Sequence, residues 1–178
     1  NDIVAKRPEL EKYFKFAVVR NPFDRLLSGY IEFRNEKYRE NSAGNLPWPT
    51  NITEYKDVND FCTHLEKSDW IKDPHFITQT SLLYKDDKLQ VDYVAKQENL
   101  FKDLLVIKDK IGVNDDILYR YIVRTHDEQG KPTRHRKKRE EFSQHHYSKF
   151  YTTESRKIIE KIYNQDFKNF NYEWSTGE

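Results

Sequence analysis

Arg20 stands where a short apolar run, Phe14 to Val19, gives way to the dipeptide Asn21-Pro22. Asn is a favoured helix N-cap and Pro is tolerated at the first helical position, so the chain can pass from strand into helix there. An Arg in that place sets a guanidinium fork beside the open amides of a helix N-terminus and the positive end of its dipole, a combination suited to a phosphate. Ser28 follows about two turns into the helix, where its hydroxyl reaches an anion only if that anion lies along the helix flank. The plainer reading of an Arg-Asn-Pro triplet is a salt bridge plus a cap. A second concentration of charge lies between Arg120 and Lys149, with nine Lys and Arg against four Asp and Glu and four of the six histidines. Cys62 is distant from those histidines, and no His-x-x-x-His pair with an acidic helper occurs, so no metal site is expected.

These residues need elements to hold them. Phe14 to Val19 reads as a buried strand. Phe23, Leu26, Leu27, Tyr30 and Ile31 then recur at helical spacing, giving a strand, a tight turn and a helix from Pro22. The run from Glu40 to Asn51 holds one Gly and two Pro and reads as a surface loop in which Trp48 could touch substrate. A short helix is expected over Val58 to Lys67, and Asp73-Pro74 marks a break before an unassigned stretch, His75 to Leu83. Val91 to Lys96 is a second strand. Leu100, Leu104, Ile107 and Ile111 mark a helix from Glu98 that Gly112 ends. Thr125 to Gln144 lacks apolar periodicity and reads as a loop. Thr153 to Phe170 closes the chain as one amphipathic helix, with Thr152 or Thr153 as its cap. Alternating strands and helices indicate an α/β fold.

The segment RNPFDRLLSGY closely resembles the 3′-phosphate-binding motif of sulfotransferases that use 3′-phosphoadenosine 5′-phosphosulfate. DPHFITQTSLL is similar to a D-x-H-x-x-x-Q segment of that family, and VDYVAKQENLFKDL to its Y-D-x-I-G-K-x-E-N-L-x-x-D-L segment. The end of the chain, from His145 to Tyr172, resembles the closing segment of the Golgi-type carbohydrate sulfotransferases and their bacterial relatives (sulfotransferase family 2). The resemblance implies a three-layer, P-loop-NTPase-like fold with a mainly parallel sheet. It also implies a nucleotide sulfate donor and a carbohydrate acceptor, with Arg20 and Ser28 on the donor's 3′-phosphate. His75, the histidine of the D-x-H-x-x-x-Q-like segment, becomes the candidate base, since imidazole suits proton transfer near neutral pH. Gln79, Lys96 and Glu98 become candidate substrate contacts, although a strand-end ion pair or cap explains the last two as well. One departure stands out. The N-terminal strand and its Lys-Thr-Ala-Gly-Thr-Ser-like phosphate loop have no counterpart among these residues, so the expectation is a single sulfotransferase-like domain, 1–178, that lacks its N-terminal part.

Composition sets the outer bounds. The chain has 178 residues, 31 Lys and Arg against 30 Asp and Glu, 12 Tyr and 11 Phe. That is enough for one aromatic-rich core, and it leaves no net field to draw the whole molecule to nucleic acid or an anionic membrane. A single cysteine suits a reducing compartment, hence a cytoplasmic location, with the Golgi lumen as the alternative if an anchor has been removed. No run is long and apolar enough to span a bilayer. Arg134, Arg136, Lys137, Lys138 and Arg139 could close over the nucleotide or an anionic glycan. A second reading makes the basic segment 120–149, with Tyr119, Tyr121, Phe142 and Tyr147 interleaved, a non-catalytic module that binds a polyanion or single-stranded nucleic acid. The near-neutral total charge counts against it.

Overall fold

The computed structural model describes residues 8–34, 51–114 and 145–177. Its elements run, in chain order, β1 (Phe16–Val19), α1 (Pro22–Arg34), α2 (Val58–Leu65), α3 (Gln79–Leu83), β2 (Tyr84–Lys85), β3 (Lys88–Leu89), β4 (Tyr93–Lys96), α4 (Leu100–Ile111), α5 (Thr153–Ile162) and α6 (Asn164–Asn169). This is an α/β fold with a small parallel sheet and helices. The chain divides into two compact units, Asn1–Val19 with Leu83–Glu140, and Arg20–Leu82 with Glu141–Glu178. Trp48 with most of its loop, and the run Arg134 to Arg139, lie outside the described residues.

In the first unit β1 and β4 pair in parallel, Phe16 opposite Tyr93 and Val19 opposite Lys96. The expected buried strand is instead two-sided. Val19 is buried, whereas Phe16 and Val18 are 43% and 44% exposed. The reason is the alternation of a strand, which puts Phe16 and Val18 on the face opposite that of Val19. Asp103 of α4 ties the end of β4 in place by accepting from the Lys96 amide (2.6 Å) and the Tyr93 hydroxyl (2.8 Å). Gly112, at φ 70°, supplies the left-handed turn that ends α4. The hairpin β2–β3, which has no periodicity signal, turns through Asp86 and Asp87, both at positive φ.

The second unit holds the aromatic core. Phe23, Leu26, Leu27, Tyr30 and Phe33 of α1 are buried with Phe61, Cys62 and Leu65 of α2, Trp70, Phe76, Ile159 and Tyr163. Asp57 caps α2 by accepting from the amides of Asn59 and Asp60, and Thr152 caps α5 by accepting from that of Ser155. Asn59 joins the two starts, its Oδ1 taking the Thr152 amide (2.9 Å) and the Ser155 hydroxyl (2.7 Å). The single closing helix expected over Thr153 to Phe170 is two helices. α5 ends at Ile162 and α6 starts at Asn164; between them stands Tyr163, whose ring is buried and whose hydroxyl donates to the Phe76 carbonyl (2.5 Å).

Candidate active site

Asn21 caps α1 as its sequence suggests: Oδ1 accepts from the Phe23 amide (3.0 Å) and the Asn21 carbonyl from the Arg25 amide (2.9 Å). Pro22 has no N–H and that of Phe23 is taken, so the tip of α1 offers an anion less than a bare helix end would. An anion there must lean on side chains. Arg20, one residue earlier, is held in two ways. Its main chain is clamped by Gln79, whose Oε1 accepts from the Arg20 amide (2.8 Å) and whose Nε2 donates to the Arg20 carbonyl (2.9 Å). Its guanidinium donates through Nε to Asp24 (2.5 Å), with the two side chains 32% and 36% exposed.

The bland reading of the triplet, salt bridge plus cap, is therefore present, yet it leaves the fork open. Asp24 uses Nε alone, and both terminal nitrogens of Arg20 lack a hydrogen bond among the described residues. These are the atoms that pair with an oxyanion in bidentate fashion. Ser28 lies one turn past Asp24 on the same row, half-buried and without a side-chain hydrogen bond among the described residues. Arg20, Asp24 and Ser28 thus form a strip along the helix flank, the direction an anion contacting both ends must take.

The neighbouring row of α1 holds the loop that carries His75. Arg25 donates to the carbonyls of Pro74 (2.7 Å) and Ile77 (2.6 Å). Burial pulls the pKa of this guanidinium down, against the raising influence of Tyr163, Asp166 and Asp73. One turn on, Gly29 allows close approach: a Cβ built there would lie 3.1 Å from the Phe76 ring and 3.4 Å from the His75 Cβ. After another turn the Phe33 ring meets the His75 imidazole edge-on at 4.9 Å. From the far side Tyr163 holds the Phe76 carbonyl. The fully buried Asp166 accepts from the amides of Gln79 (2.8 Å) and Thr80 (2.7 Å), capping α3 from another helix.

His75 itself is bonded to Asp73. Oδ1 of that carboxylate accepts from the His75 amide (2.8 Å) and from the ring Nδ1 (2.9 Å). The Asp73 side chain is 5% exposed and that of His75 44%. The structure thus brings Arg20, Ser28, His75 and Gln79 into one unit around α1. Gln79 sits there with both ends of its amide on the Arg20 main chain. Lys96 and Glu98 lie in the other unit, at the end of β4 and in the 3-10 turn before α4. Asp73, Arg25 and Asp166 carry the loop and were not singled out from sequence. The two-residue spacing of Asp73 and His75 was a usable signal; the others contact residues about 50 or more positions away, and no local pattern shows that.

Among the described residues no group of three or more His, Cys, Asp and Glu could hold a metal ion, and no helix is long and apolar enough to cross a membrane. Neither the curated proteins nor the solved structures contain a match to the chain. The model of the sulfotransferase family, however, matches residues 3–173 in one span that takes in both units. The chain therefore belongs to the sulfotransferase family, enzymes that transfer a sulfuryl group.

Proposed function

We propose that the donor is 3′-phosphoadenosine 5′-phosphosulfate and the acceptor a carbohydrate hydroxyl, with Arg20 and Ser28 holding the donor's 3′-phosphate and His75 acting as general base. The observation that carries this reading is the Arg20 guanidinium, oriented by Asp24 through one nitrogen with its two terminal nitrogens unengaged, on the helix row that ends in Ser28. In the transfer, the acceptor oxygen forms its bond to sulfur while the bond from sulfur to the donor's phosphate oxygen breaks and its electron pair leaves with the phosphate. The acceptor proton passes to His75 Nε2. Gln79 serves the site through Arg20, and Lys96 and Glu98 are proposed as substrate contacts on the first unit.

Calorimetry with 3′-phosphoadenosine 5′-phosphate tests the donor assignment. Arg20→Ala removes a charge-assisted pair and is expected to weaken binding by roughly 30- to 1,000-fold, about 2–4 kcal/mol. Ser28→Ala removes one neutral donor, worth about 1 kcal/mol, or roughly fivefold. Unchanged affinity in folded Arg20→Ala protein would refute the assignment.

A further inference from the structure

We infer that Asp73 is a positioning residue that fixes His75 in the Nδ1–H tautomer and turns Nε2 outward as the proton acceptor. An ionised carboxylate can only accept hydrogen bonds, so the 2.9 Å contact to Nδ1 requires the proton of the neutral ring to sit on Nδ1. That leaves the lone pair on Nε2, which has no hydrogen bond among the described residues, on a side chain 44% exposed. The carboxylate cannot swing away, because the loop around it is bonded at every step. Its own carbonyl accepts from the amides of Phe76 (2.9 Å) and Ile77 (2.7 Å), and its amide donates to the Trp70 carbonyl (3.0 Å). Arg25 and Tyr163 hold the carbonyls of Pro74, Phe76 and Ile77. The imidazole is then set by one hydrogen bond and one aromatic wall, Phe33 at 4.9 Å. The same carboxylate stabilises the imidazolium that forms once Nε2 has taken a proton.

The catalytic consequence rests on the reading of His75 as base given above; the tautomer does not. Long-range proton–nitrogen spectra of the full chain, with the His75 ring assigned by its loss in His75→Gln, report the tautomer directly. The expected result is a protonated Nδ1 and a bare Nε2 in the neutral ring, and a predominant Nε2–H form would overturn the inference. Asp73→Asn keeps an oxygen for the His75 amide while removing the charge. It is expected to admit the Nε2–H form and to lower kcat about 10- to 100-fold, with KM for the nucleotide donor unchanged, measured with oligosaccharide acceptors. Folded Asp73→Asn protein with wild-type kcat, where His75→Ala has lost turnover, would equally overturn it. Full turnover in His75→Ala with the Nδ1–H form intact in the wild type would instead remove the base and leave the positioning standing.

Discussion

At the scale of single residues, the proposed roles separate groups that would hold an anion from the group that would move a proton, and the separation is testable in kinetics. His75→Ala is expected to lower turnover by ~10²- to 10⁴-fold, the usual share of a general base, with little change in nucleotide affinity. Loss of the ring also removes the edge-on contact with Phe33, so the melting temperature of the same preparation should be read alongside. Turnover that falls only in proportion to the folded fraction would make His75 a structural residue. Arg20→Ala should show the opposite signature, weak nucleotide binding first. Asp24 belongs with Arg20: it neutralises part of the charge and orients the guanidinium, so in the proposed site this carboxylate is an orienting group.

At the scale of elements, α1 is the organising piece, and its adjacent rows have separate tasks. Arg20, Asp24 and Ser28 lie on the row proposed for the anion, while Arg25, Gly29 and Phe33 hold the His75 loop. Gly29→Ala sets two effects against each other. Ala gains about 1 kcal/mol in helix propensity, and an extra methyl in a filled core costs about 1–3 kcal/mol. Phe76 is fully buried between Phe33, Phe61 and Trp70 and has little room to give, so net destabilisation of about 1 kcal/mol is expected in urea titration. A stabilised Gly29→Ala would refute this. The same helix shows what sequence could reveal. Its apolar stripe, the Asn21 cap and the Arg20–Ser28 pair are local patterns, and β4 and α4 were visible for the same reason. The two-residue strands β2 and β3 are too short to show periodicity. The break at Tyr163 is invisible because helical spacing continues across it while the hydroxyl bonds to the distant Phe76. Nothing in the neighbourhood of His75 announced that Arg25, Tyr163 and Asp166 would fasten its loop, since that depends on how three helices pack.

At the scale of the molecule, the core of the second unit imposes a limit on alkaline stability. Cys62, Tyr151 and Tyr163 are buried together, and burial is the main cause of a raised pKa in each, the Cys62 thiol being pushed up to about 12. Each group is neutral in the folded state at pH values where the unfolded chain ionises, so its contribution is intact below the unfolded pKa and is lost as pH rises toward the folded one. With unfolded values near 8.5 for Cys and 10 for Tyr, the loss begins at about pH 9 through Cys62 and steepens above about pH 10 through the two tyrosines. Each titrating group contributes a slope of up to about 1.4 kcal/mol per pH unit. Urea denaturation at intervals from pH 8 to 11 should show both phases. Cys62→Ala should abolish the first phase and leave the second, even though the smaller side chain lowers stability at pH 8 by opening a small void. If Cys62→Ala retained the early phase, that phase would belong to another group; if stability were flat from pH 8 to 10.5, water would have to reach these groups in the folded state, and the aromatic core that holds α1 and the His75 loop would be open rather than closed.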